Sequence, residues 1–228
     1  MTVGGVLDQS FALYQRFFWR FVATAAVVFA VLDLLSALGA TVSGDLATAL
    51  LLLLLGIVIS IVGTYWVQGA LTEAVRDVRD GRIDTTIGEL YERTRPRLPA
   101  LIVAGILATL GIVLGLILLI VPGLYLLTRW VLIIPVIVIE GRSAGESFTR
   151  STQLTAGHRW TVLGVVVVTL LIYIIAGAIV SGILSALLPD FLGAWLGNLA
   201  VHSMFTPLLA LAWTTMYFEL AQPTAETA

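Results

Sequence analysis

The sequence has no cysteine and no lysine, and charged residues of either sign are scarce. Without cysteine the chain offers no disulfide and no thiolate ligand, and its two histidines are too few for a multi-histidine metal site. A glycine loop of the Walker type, which would cradle a phosphate, is also absent. Only 11% of the residues are charged, against about 25% in an ordinary soluble domain. With a net charge of −2, attraction to nucleic acid is not indicated either.

Long apolar runs make up most of the chain. A helix needs about 20 mainly apolar residues to cross the hydrocarbon core of a bilayer. Six segments are predicted to span the membrane: 18–38, 47–67, 99–121, 124–139, 160–187 and 192–218. The fourth is short and contains Pro135, so we expect it to be thin or kinked. The predicted fold class is therefore an all-α polytopic integral membrane protein.

The arginines predict how these spans are oriented. Eleven of the twelve lie in three places, which are Arg16 with Arg20, the stretch 76–97 and the stretch 142–159. The connections inside each pair of spans, at 39–45, 121–123 and 188–190, contain glycine or proline and no basic residue. Since basic loops stay in the cytoplasm, we predict three transmembrane hairpins with both termini on the cytoplasmic side.

A short amphipathic segment precedes each predicted hairpin, which suggests a threefold repeat, although chance recurrence is an equal alternative. Thr86 and Glu89 have the spacing of a capping box at the start of the second segment. In the second cytoplasmic loop, acidic residues offset the arginines, and we expect a solvated, salt-bridged extension of the second span there. The single domain, 1–228, is accordingly divided into an interfacial helix 1–17, hairpin 18–67, cytoplasmic helical segment 68–98, hairpin 99–139, cytoplasmic interfacial segment 140–159, hairpin 160–218 and tail 219–228.

Arginines at the depth of the headgroups attract anionic lipid, with about 1 kcal/mol from each residue near the surface. The candidates for such contacts are Arg16, Arg20, Arg142, Arg150 and Arg159.

Ionisable residues inside a span are costly, and they are functional candidates for that reason. Asp33 and Arg129 have opposite charges and similar predicted depths near the outer face. They either pair with each other or reach the outer surface separately. Asn198, His202 and Ser203 lie in the sixth span, where they either hydrogen-bond to a neighbouring helix or act on a proton or polar substrate.

Several segments resemble a known family. The stretches 121–125, 140–142 and 148–160, together with 7–11 and 217–218, are similar to the membrane domain found beside glycerophosphoryl diester phosphodiesterases and to stand-alone bacterial membrane proteins of that kind. The resemblance implies a bacterial inner-membrane protein with a role in lipid handling or envelope homeostasis. The paired histidines and acidic cluster of the phosphodiesterase are absent, so diester hydrolysis is not expected.

The leading hypothesis is a non-enzymatic membrane protein, without metal or cofactor, whose partners are membrane lipids, anionic ones among them. The alternative is a small transporter or channel subunit that uses Asp33, Arg129 and His202. A hydrated cavity lined by those three residues would favour transport, and a packed interior would favour lipid contact.

Overall fold

The apolar runs fold into long helices. The computed structural model describes residues 1–39, 46–81 and 84–222, and within these ranges it contains helices and no strand. The helices are α1 Val3–Arg16, α2 Phe18–Gly39, α3 Leu46–Arg79, α4 Ile87–Thr94, α5 Leu98–Leu118, α6 Ile120–Trp130, α7 Ile133–Glu140, α8 Ala144–Thr155, α9 Arg159–Leu187 and α10 Asp190–Ala221, with a 3-10 turn at Arg95–Arg97.

Six helical segments are long and apolar enough to cross a membrane, which confirms the predicted fold class. They are Phe18–Gly39, Leu50–Arg79, Ile87–Leu118, Ile120–Glu140, Arg159–Leu187 and Asp190–Ala221. Leu188 and Pro189 separate the last two, as predicted, whereas most of the connection predicted at 39–45 lies outside the described residues.

The last helix, α10, is central, and it packs against α1, α2, α3 and α9. Its Leu211 joins a buried cluster with Phe21 of α2 and Leu71 of α3. A second buried cluster joins its Met216 to α9 and to Val6 of α1. The N-terminal helix is therefore packed onto the bundle along one face.

The short helices α1, α4 and α8 come before α2, α5 and α9. The predicted capping box of Thr86 and Glu89 is formed at the start of α4. Ser143 and Glu146 form another at the start of α8, where hydrogen bonds from the Ser143 side chain and backbone hold the pKa of Glu146 below its usual range. The interfacial position of these short helices, and the threefold repeat, stay predictions.

The segment 68–98, predicted to be cytoplasmic, contains the expected helical extension of α3, which continues to Arg79, but the acidic residues of this extension are not solvated. In α3, Glu73 and Asp77 are buried, with 3% and 1% of their surface exposed. Arg97 reaches Glu73 at 2.7 Å, and Arg93 contacts both oxygens of Asp77 at 3.1 Å. The expected salt bridges are formed, but the acidic residues are buried and not solvated, because Arg93 of α4 and Arg97 of the following 3-10 turn cover them.

The fourth span is broken, in line with the expected kink. α6 ends at Trp130 and α7 begins at Ile133, so the break falls at Val131 and Leu132. Pro135 lies in the first turn of α7, where the N–H that proline lacks would have no helical partner.

The turn predicted at 121–123 is not formed there, because these residues are part of α6. Leu119 separates α5 from α6, and Pro122 lies in the first turn of α6. Gly123 instead lets the two helices approach closely: a Cβ added to it would lie 2.7 Å from the backbone nitrogen of Leu116. The error arose because proline is accepted in a first helical turn as readily as in a loop.

Candidate functional site

One carboxylate holds two of the arginines that the sequence marks as candidates for lipid contact. Glu140, at the end of α7, is only 16% exposed. It accepts hydrogen bonds from Arg142 at 2.6 Å, from Arg150 of α8 at 2.9 Å and from the Tyr217 hydroxyl of α10 at 3.0 Å. Gly141 follows in the left-handed conformation, with φ of 68°, and this reverses the chain so that Arg142 returns to Glu140. We call these four side chains the Glu140 cluster; it is a crosslink between helices.

Ser151 of α8 closes the break between α6 and α7. Its hydroxyl donates to the carbonyl oxygen of Arg129 at 2.6 Å and accepts from the backbone N–H of Leu132 at 3.2 Å. Backbone groups freed by a break inside a membrane need such partners, since lipid supplies none. Sequence reasoning missed this role because a serine in an amphipathic helix gives no sign of which distant carbonyl it reaches.

A different arrangement surrounds Tyr125 of α6. The guanidinium carbons of Arg129 and Arg159 lie 5.2 Å and 5.4 Å from the centre of its ring. Arg129 Nη1 also donates to the Tyr125 hydroxyl at 3.1 Å, while its Nε is buried without a partner. Among the described residues, neither arginine has a carboxylate within ion-pair distance. We call these three residues the Tyr125 patch; it is a cationic surface able to receive an anion.

The other predicted lipid contacts lie at the start of α2 and just before it. Arg16 is exposed, and its guanidinium lies 5.2 Å from the centre of the Phe17 ring. Arg20 is half-buried on α2, where its carbonyl accepts a hydrogen bond from Thr24. Arg16, whose guanidinium lies over the Phe17 ring, is not part of the Tyr125 patch.

Within the bundle, Asp33 of α2 pairs with His202 of α10. Nδ1 of His202 lies 2.9 Å and 3.0 Å from the two carboxylate oxygens, and its ring stacks on Phe29 with centres 4.8 Å apart. Asp33 is 5% exposed. His202 thus hydrogen-bonds to a neighbouring helix, one of the two alternatives that the sequence leaves open. The sequence did not predict that the bond goes to Asp33, or that Phe29, one helical turn before Asp33, stacks on the ring.

The pair of Asp33 with Arg129, considered from the sequence, is not formed. Arg129 lies near Arg159, at the start of α9, whereas His202 follows Val201, which packs on Gly177. At about 1.5 Å per residue, Arg159 and Gly177 are roughly 27 Å apart along α9. Of the two alternatives that the sequence leaves open, pairing is therefore not realised, because Arg129 turns to Tyr125 and Asp33 is held by His202.

The remaining polar candidates of α10 do not join this pair through hydrogen bonds. Asn198 is exposed, and the Ser203 hydroxyl is buried without a partner. Within the described ranges, no three histidine, aspartate or glutamate side chains gather in a group that could hold a metal ion.

The segment that carries the Glu140 cluster and the Tyr125 patch matches a family model. This model, the membrane domain of glycerophosphoryl diester phosphodiesterase, matches residues 94–221, more than half of the chain. The chain belongs to this family. The resemblance predicted from the sequence is confirmed, and the protein is a multi-pass integral membrane protein. The match is to the membrane domain, the non-catalytic part of those phosphodiesterases, and Asp33 lies before it. Searches of curated proteins and of solved structures gave no match.

Proposed function

We propose that this protein is a non-enzymatic membrane protein that binds the phosphate groups of anionic lipids through Arg129 and Arg159. The observation that carries the proposal is the convergence of both guanidinium groups on the Tyr125 ring, with no carboxylate partner among the described residues. Two neighbouring cations repel each other, and a bound phosphate removes that cost by accepting bidentate hydrogen bonds from each.

The surroundings of the Tyr125 patch suit the depth of lipid headgroups. Trp160 directly follows Arg159 and is 86% exposed. Tryptophan prefers the boundary between hydrocarbon and water, so an exposed indole beside an arginine would anchor α9 there. The distribution of arginines in the sequence supports the cytoplasmic side of a bacterial inner membrane for Arg159. Arg129 lies outside the three basic groups and is expected near the outer face from the sequence, but its contact with the Tyr125 ring brings it to the same patch.

This proposal keeps Arg159 from the arginines that the sequence marks for lipid contact and adds Arg129, which the sequence marks only as a polar residue inside a span. Arg142 and Arg150 share the Glu140 carboxylate, which partly neutralises their charge and weakens their attraction for a phosphate. Arg159 has no such partner among the described residues, and Arg129 joins it because α6 ends beside the start of α9. The proposal therefore depends on two residues from different helices.

The structure favours lipid contact over the transport alternative. Asp33 and His202 meet, but Arg129 lies far from them, so the described residues do not form a cavity lined by all three. Between α3, α7 and α10 there is a cavity of about 10 Å³, lined in part by Thr72 and Trp213. Such a space holds at most about one water molecule.

The test measures how much anionic lipid the purified protein retains. The full chain would be equilibrated in detergent micelles containing equal amounts of phosphatidylglycerol and phosphatidylcholine, repurified, and analysed for bound lipid by mass spectrometry. We expect the double variant Arg129→Gln/Arg159→Gln to retain at least fivefold less phosphatidylglycerol, since each arginine contributes about 1 kcal/mol.

The control variant also removes two positive charges, but at positions outside the Tyr125 patch. Arg76→Gln/Arg95→Gln changes two arginines that already face carboxylates, and we expect it to retain phosphatidylglycerol like the native chain. Equal retention by the Arg129/Arg159 variant and the native chain would overturn the proposal. So would equal losses in both double variants, because net charge alone would then explain the binding.

A further inference from the structure

The Asp33–His202 pair has one buried end and one open end. Asp33 is 5% exposed, whereas the His202 side chain is 33% exposed. Its Nδ1 faces the carboxylate. The other ring nitrogen, Nε2, has no hydrogen-bond partner among the described residues and is not one of their buried unpartnered atoms. The imidazole therefore connects the accessible surface of α10 to a buried acid.

The net charge of the Asp33–His202 pair depends on whether the imidazole carries one proton or two. An unpaired carboxylate inside a membrane bundle is strongly disfavoured. A doubly protonated imidazole beside Asp33 makes the pair neutral overall, and loss of one proton leaves it with a charge of −1. Because Nδ1–H is held by the carboxylate, the proton that leaves or returns is the one on Nε2.

We propose that Asp33 and His202 form a proton-binding site within the bundle, entered through Nε2 of His202. On release, the Nε2–H bond breaks and the proton passes to a water molecule or polar group that reaches the open side of His202, while Nδ1 keeps its proton and its hydrogen bond to Asp33. On binding, a lone pair of Nε2 takes the proton and the pair becomes neutral. The site stands apart from the Tyr125 patch and does not depend on lipid binding.

The groups around the pair do not compete for this proton. α9 contributes Tyr173, whose hydroxyl is close enough to Asp33 to sense its charge. α1 contributes Tyr14, which donates to the carbonyl of Met204 and whose pKa is raised by burial to about 12. α3 meets this part of α2 with Gly63, packed on Leu32. Tyrosine keeps its proton across the range in which imidazole titrates.

The chain offers an unusually direct test, because it contains two histidines only. His158→Gln removes the exposed one and leaves His202 as the single imidazole to be observed by ¹⁵N NMR in the full-length protein. When the pH is raised, we expect the nitrogen that loses its proton to be Nε2, while Nδ1 stays protonated because the Asp33 carboxylate holds its N–H. This result needs no change at Asp33, so it is independent of any folding defect.

A second variant assigns the effect to Asp33. In His158→Gln/Asp33→Asn we expect Nδ1 to become the nitrogen that loses the proton, because the carboxylate no longer holds it. Ser203→Ala in the same His158→Gln background should leave the ¹⁵N spectrum of the Asp33–His202 pair unchanged, since the Ser203 hydroxyl has no partner. Absence of titration at either nitrogen, or loss of the Nδ1 proton with Asp33 intact, would overturn the proposal.

Discussion

The Glu140 cluster and the Tyr125 patch each contain two arginines from the family segment, yet their surroundings differ. In the cluster, one carboxylate and one phenol tie the arginines to three helices. In the patch, the two arginines face one aromatic ring with no carboxylate among the described residues. A guanidinium beside an acid acts as a crosslink, whereas one beside an aromatic ring keeps its charge available. The comparison teaches that the nearest acidic residue decides the role of each arginine.

The largest effect should come from removing the acid of the Glu140 cluster. Breaking a fully buried ion pair costs about 3–5 kcal/mol, and exposed pairs contribute little. Glu140 is 16% exposed and its arginines are 32% and 43% exposed, so we expect Glu140→Gln to lower the free energy of unfolding by about 2 kcal/mol. Denaturant titration in detergent would measure this. The variant should also retain more phosphatidylglycerol, because Arg142 and Arg150 are released.

Glu92→Gln is the matched control, since the Glu92–Arg95 pair is about 70% exposed on both sides. It should change the unfolding free energy by less than about 0.5 kcal/mol. If Glu140→Gln is equally neutral, or if its lipid retention falls, the contrast between the cluster and the patch fails.

An intermediate effect is expected at Ser151, which joins the break after Arg129 to α8. Ser151→Ala removes two hydrogen bonds to backbone groups at the break, which should cost about 1.5 kcal/mol in unfolding free energy. It should also lower phosphatidylglycerol retention, because the end of α6 that carries Arg129 loses its support.

Ser203→Ala tests whether replacing any buried serine would lower the unfolding free energy to the same extent. The hydroxyl of Ser203 is buried without a partner, so its removal should be neutral or slightly stabilising. Equal losses of stability in the two variants would show that Ser151 acts through packing and not through its bonds to the broken span.

The sequence predicts the spans better than it predicts the polar contacts. Hydropathy depends on local composition, so the helices, the kink before Pro135 and the capping box of Thr86 follow from neighbouring residues. Contacts between distant helices do not follow from neighbouring residues. The partner of Asp33 is 169 residues away, and the carbonyl that Ser151 reaches lies across a break whose direction no local pattern specifies.

Within the Tyr125 patch, a smaller comparison separates the ring from its hydroxyl. Tyr125→Phe removes the hydrogen bond to Arg129 but keeps the aromatic surface under both arginines, so phosphatidylglycerol retention should stay close to native. Tyr125→Leu removes both cation–π contacts, each contributing about 0.5–1 kcal/mol at an exposed site, and should lower retention about threefold. Unfolding free energy should change by less than about 1 kcal/mol in the phenylalanine variant and by about 1–2 kcal/mol in the leucine variant. A loss in the phenylalanine variant as large as in the leucine variant would mean that the hydroxyl positions Arg129, and the patch would then resemble the Glu140 cluster, in which a phenol also serves to fix a charged group.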